Sequence, residues 1–130
     1  MKSDDDDQAH RRPTILVIDD DEIIRELVKL HLRNADYQVL EAEDAVIGGH
    51  LILQRRPDLV LCDVDMPYLN GYDLVAALKG DSGTRDIPVV FLTMNEDVAR
   101  QAKKLGAVAY LMKPVKADKL LEVVALFAQT

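Results

Sequence analysis

A doubly wound α/β fold, with five parallel strands covered by five helices, is what the sequence predicts, on three observations. Short apolar runs alternate with segments of helical periodicity from Thr14 to Phe127. The runs are continuous rather than alternating apolar and polar, as in strands buried on both faces. The connections are short, and short right-handed crossovers between such strands give a parallel sheet with helices on both sides. The chain has 130 residues, 48% apolar and 30% charged, enough for one domain with one sizeable core.

Residues 1–12 form a charged, core-free leader containing Asp4 to Asp7, a disordered tail or a tag remnant, and the folded domain is expected over 13–130. The first strand, 14–18, is β-branched and apolar and ends in Asp19-Asp20-Asp21-Glu22. Asp20 or Asp21 can cap the helix that follows, where Ile23, Ile24, Leu27 and Val28 recur at helical spacing. Capping occupies one or two of the four acids and leaves at least one carboxylate on the strand end without a structural duty.

A second strand is expected over 37–42 and a helix over 44–56, the latter weakened by about 1 kcal/mol at each of Gly48 and Gly49. The central strand, 59–62, lies between Pro57 and the Pro67/Gly71 turn signals and ends in Asp63. A short helix over 71–79 carries Leu74, Val75 and Leu78, and 80–86 is a loop of turn formers. The strand over 87–92 has Pro88 near its start and ends in Thr93. A helix over 95–105 stops at Gly106, and a strand over 108–112 leads into Lys113-Pro114, where a cis peptide is an available sharp turn. The last helix, 118–127, packs an apolar stripe on the sheet.

A net charge of -7 argues against nonspecific binding to nucleic acid or to an anionic membrane, both of which need a basic patch. No apolar run approaches the ~20 residues of a membrane-spanning helix. Cys62 is the only cysteine, which excludes an intrachain disulfide and fits a reducing, cytoplasmic compartment. Inside an apolar strand it reads as a small core residue.

In a parallel sheet the strand ends of one sense share an edge, so Asp19, Asp20, Asp63, Thr93 and Lys113 are expected to converge. Close carboxylates repel one another unless a cation neutralises them, and hard oxygen ligands suit Mg²⁺ better than zinc or copper. His10, His31 and His50 show no metal-ligand spacing. A carboxylate, an ammonium, a hydroxyl and a metal are the parts needed to accept a phosphoryl group. Asp63 serves as nucleophile, while Lys113 and Thr93 stabilise the equatorial oxygens.

These residues resemble a response-regulator receiver domain of two-component signalling. The resemblance rests on 15–20, on 57–63 with Met66-Pro67 and Asn70-Gly71, on 89–93, and on Gly106-Ala107, Tyr110 and Lys113-Pro114. It implies a flavodoxin-like sheet of strand order 2-1-3-4-5 and phosphorylation of Asp63 by a histidine kinase or phosphotransfer protein. It also implies Mg²⁺ held by Asp20, Asp63 and the Asp65 backbone carbonyl, with Asp19 acting through water. Thr93 and Tyr110 match the family's switch pair, and Lys113 its phosphoryl-pairing lysine. Met94, Asn95 and Asp65 fall at the rim. Output, through a homodimer or another partner, is expected on the surface of 95–105, 108–112 and 118–127, with no direct contact to nucleic acid or membrane. The chain departs from the usual pattern at Met94, where a small residue is common, at Val115, where Phe often stands, and at Asn70, where Asp is commoner.

Asp63-Val64-Asp65 after an apolar strand also resembles the nucleophile motif of haloacid-dehalogenase-type phosphohydrolases, in which the second Asp works as acid and base. Those enzymes carry the nucleophile on the first strand and their acidic pair late, the reverse of the order here. A binding module that signals without phosphorylation is a third reading, against which the intact pocket argues.

Overall fold

The computed structural model describes residues 12–65 and 71–128. Strands β1 (Thr14–Ile18), β2 (Gln38–Ala42), β3 (Leu59–Asp63), β4 (Val89–Thr93) and β5 (Ala109–Met112) alternate with helices α1 (Glu22–Asn34), α2 (Ala45–Arg55), α3 (Gly71–Lys79), α4 (Glu96–Arg100) and α5 (Ala117–Phe127). The sheet is parallel throughout, in the order β2-β1-β3-β4-β5. The motif residues Met66-Pro67 and Asn70, like nearly all of the leader, lie outside the described residues. No helix among the described residues is long and apolar enough to cross a membrane.

Period-two alternation sends successive strand residues to opposite faces, and both faces are dry. Leu16, Ile18, Val60, Cys62, Val89 and Phe91 pack with Ile52 of α2 and Leu74, Val75 and Leu78 of α3. Ile15, Val17, Leu59, Leu61, Val90 and Leu92 pack with Val28 and Leu32 of α1 and Leu120 and Val124 of α5. β1, β3 and β4 are central, so their polar ends have no lateral escape and must meet at the carboxyl edge. The Asp58 carboxylate receives the Thr14 amide at 2.7 Å, fixing the start of β1 beside that of β3.

Gly48 does more than weaken α2. A Cβ at this position would lie 2.4 Å from Ile18 Cδ1, so glycine lets the helix approach β1 closely. Gly106 has φ +104, and a Cβ there would sit 2.7 Å from Val75 Cγ1.

Several boundaries differ from the sequence expectation. The helix expected over 95–105 is regular only over Glu96–Arg100. Beyond it the amides of Gln101, Ala102 and Gly106 bond three residues back, to Val98, Ala99 and Lys103, which tightens the chain into turns. Apolar spacing does not separate helix from turns, because Ala99 in the helix and Ala102 in the turns are both buried. β4 begins at Val89 instead of 87, since Pro88 has no amide to donate and the Ile87 amide bonds Thr84 O. β2 and β5 each start one residue later than expected, and α5 one residue earlier.

Candidate functional site

β1 and β3 end side by side and deliver Asp19 and Asp63 to one point, where both side chains are buried, at 0% and 2% exposure. From the end of β5, Lys113 places Nζ 3.1 Å from Asp19 Oδ2 and 3.1 Å from Asp63 Oδ1. The Lys113-Pro114 peptide is cis, as the sequence reading expects. Asp63 Oδ1 also receives the Asp65 amide at 2.8 Å, and Asp19 Oδ1 the Asp21 amide at 2.9 Å.

One ammonium between two buried carboxylates leaves the pair short of positive charge. Burial pushes the Asp63 carboxyl up to about 6, with the Asp19 charge adding to the rise and the Asp65 amide and Lys113 opposing it. Burial works to lower the Lys113 ammonium, but the two carboxylates outweigh it and hold the group above its ordinary value. Burial likewise raises the Cys62 thiol to about 12, which makes it a core residue and no nucleophile.

Of the remaining acids, Asp21 is the N-cap of α1, its carboxylate accepting from the amides of Ile23 and Ile24. Asp20 is thereby left exposed at the mouth, and carboxylate oxygens of Asp19, Asp20 and Asp63 lie within 4.8 Å of one another. Asp19 Oδ2 is buried without a well-directed hydrogen bond, the Lys113 ammonium at 3.1 Å being an ion-pair contact only. A cluster of hard oxygens with an under-satisfied buried member fits a divalent cation of the Mg²⁺ type, and among the described residues no histidine or cysteine joins it. The cleft over the cluster measures about 410 Å³, and beyond Asp20, Asp63 and Lys113 it is walled by Ile24, Leu27, Met94 and Val115.

Two rim residues spend their side-chain oxygens on neighbouring donors. Asp65 does not present a free carboxylate: Oδ1 accepts the Thr93 hydroxyl at 3.0 Å and Oδ2 the Met94 amide at 2.9 Å. Asn95 caps α4, its Oδ1 accepting the amides of Asp97 and Val98. Short polar side chains beside a helix start are drawn into capping wherever amides lack partners. Met94 does line the cleft, with 69% of its surface exposed. Thr93 is fully buried at the end of β4, and Tyr110, on the same face of β5 as Met112, is 45% exposed.

Sequence reasoning passed over Arg25. Its Nη1 donates to the Asp19 carbonyl at 2.8 Å and its Nε to Glu41 at 3.2 Å, tying the turn after β1 to β2. Lys29, nearly buried, pairs with Glu26 and Glu41 beside it and is held above its ordinary value by both, while Glu41 is held below its own. A charged position on a helix gives no sign of which backbone carbonyl it reaches.

The family model for the response regulator receiver domain matches residues 15–125. The chain is similar to the phosphate regulon transcriptional regulatory protein PhoB of Pseudomonas aeruginosa, 39% identical over 83% of this chain and 48% of that protein. It is also similar to the DNA-binding dual master transcriptional regulator RpaA of Synechocystis, 37% identical over 84% and 46%. The chain spans about half the length of the curated relatives it matches. Among solved structures, a response regulator from Chloroflexus aurantiacus superposes with a TM-score of 0.84 at 30% identity, covering 92% of this chain and 100% of that one. The chemotaxis protein CheY4 of Vibrio cholerae gives 0.82 at 28% identity, covering 89% and 98%.

Proposed function

This chain belongs to the response-regulator receiver family, and we propose that it accepts a phosphoryl group on Asp63 from a histidine kinase or phosphotransfer protein, with Mg²⁺ bound. The observation that carries this reading is the placement of Lys113 Nζ 3.1 Å from both Asp19 and Asp63 under an open cleft. Asp20, Asp63 and the Asp65 carbonyl would hold the ion, with Asp19 acting through water. When bound, Mg²⁺ supplies the charge neutralisation that lets an anionic donor approach the carboxylates.

Asp63 Oδ attacks phosphorus as the bond to the donor nitrogen breaks, and the released imidazole keeps the electron pair of that bond. Lys113, held charged by its two neighbours, offsets the oxygens that gain negative charge. Its second partner, Asp19, keeps the ammonium aimed when Asp63 becomes an acyl phosphate. Thr93 then donates its hydroxyl to a phosphoryl oxygen, and Tyr110 turns toward the vacated space, altering the surface of 95–105, 108–112 and 118–127 for an output partner or a second copy of the chain.

Incubation with acetyl phosphate tests this reading. One phosphoryl group per chain with Mg²⁺, none in excess chelator, and no multiple turnover of small phosphate esters are expected. Sustained ester hydrolysis would favour the hydrolase reading. That reading needs a free Asp65 carboxylate as acid and base, whereas both Asp65 oxygens are engaged.

Met94 governs the lifetime of the product. An apolar side chain over the cleft excludes the in-line water that hydrolysis needs. With Mg²⁺ saturating, Met94→Ala should speed decay of the phosphorylated form roughly threefold to tenfold, the range spanned by up to about 1.4 kcal/mol of barrier. An unchanged or slower decay means that Met94 does not shield the site.

A further inference from the structure

Building on the phosphoryl-acceptor reading, we infer that the Asp65 side chain is a positioning residue that occupies, before phosphorylation, the two donors a phosphoryl group on Asp63 would use. The carboxylate reaches from the end of β3 to the end of β4 and takes the Thr93 hydroxyl on one oxygen and the Met94 amide on the other. A hydroxyl has one proton to give. That of Thr93 goes to Asp65, while its oxygen accepts the Asn95 amide at 3.0 Å, so the hydroxyl is fixed from both sides in a fully buried position. Two anionic oxygens held by one O–H and one N–H have the form in which a phosphoryl group presents its own oxygens. Asp65 also donates its amide to Asp63 Oδ1 at 2.8 Å, so the acceptor and the internal competitor are joined through one residue.

Thr93 can turn to a phosphoryl oxygen only as Asp65 releases it. The incoming group adds roughly one negative charge beside the Asp65 carboxylate, which drives that release. Asp65 therefore sets the balance between the two states of Thr93, and weakening its hold favours the phosphoryl-bound state. An asparagine at this position puts an NH₂, which cannot accept, where one carboxylate oxygen stood, so the donor aimed at that oxygen loses its partner in this geometry.

The test uses Asp65→Ala and Asp65→Asn, each alone and combined with Thr93→Ala. The first readout is the amide NMR shift of Met94 and Asn95 without metal or donor. The second is the affinity for beryllium fluoride, a phosphoryl analogue, at saturating Mg²⁺. Both amides should move in Asp65→Ala. Beryllium fluoride should bind about five- to tenfold tighter, as expected for losing a charge-assisted hold of modest net strength, and the gain should vanish in the Thr93→Ala background. Tightening that persists without the Thr93 hydroxyl would be simple charge removal and would overturn the role, as would unchanged affinity or an unmoved Met94 amide. Failure of the unsubstituted protein to bind the analogue would instead contradict the acceptor reading.

Discussion

Lys113→Met should lower the stability of the metal-free protein by about 3–5 kcal/mol at neutral pH, the scale set by stripping the partner from a buried charge. Methionine fills nearly the same space, so the loss reports charge rather than a cavity. Two buried carboxylates would then face each other with no ammonium between them. Protonation relieves such a pair. The deficit should therefore shrink on going from neutral pH toward pH of about 5, where Asp63, already raised to about 6, takes up a proton. Mg²⁺ should restore part of the lost stability, and phosphoryl uptake should fall steeply even so. Urea unfolding at the two pH values, with and without Mg²⁺, measures all of this. Equal stability of variant and parent at neutral pH would mean that the ammonium does not neutralise the pair.

The second large effect is a gain. Asp63→Asn should stabilise the metal-free protein at neutral pH by about 1–3 kcal/mol while abolishing phosphoryl uptake. In the folded state Asp63 holds its proton up to pH of about 6, well above the ordinary carboxylate value. Between those two values the folded chain binds more protons than the unfolded one, so stability falls as pH rises and the penalty is complete above the upper value. Each tenfold in the proton equilibrium is about 1.4 kcal/mol, which puts the penalty on the scale of about 3 kcal/mol. Asparagine removes it and keeps an oxygen for the Asp65 amide. The parent should lose stability from about pH 4 to 6, the variant should show less of that slope, and saturating Mg²⁺ should flatten it in the parent. A slope of opposite sign in the parent would mean that its carboxyl is depressed by Lys113 instead of raised by burial.

Much of this was legible because parallel strands are buried on both faces. Unbroken apolar runs marked β1, β3 and β4, and in a parallel sheet the carboxyl ends of all strands, β5 included, share one edge, so the convergence of Asp19, Asp63, Thr93 and Lys113 followed from topology. Side-chain hydrogen bonding was less legible. Nothing in the spacing distinguishes a rim Asp65 open to water from one bonded to Thr93 and Met94, or an Asn95 that orients water from one that caps a helix. The Asp65 bonds, at 3.0 and 2.9 Å, join two chain segments and follow only once the β3 and β4 ends are placed, while the Asn95 cap is local and turns on where α4 begins. Gly48 shows the same limit in packing: its helix cost is readable, while its closeness to Ile18 is not.

The most direct measurement is to locate the phosphoryl group. After brief exposure to acetyl phosphate and Mg²⁺, borohydride reduction of the acyl phosphate and peptide mass mapping should place a single modification at Asp63, absent from Asp63→Asn and from protein kept in chelator. A modification at Asp19, Asp20 or Asp65 in the unsubstituted protein, or one that forms without a divalent cation, would contradict a metal-neutralised pocket with Asp63 as its acceptor.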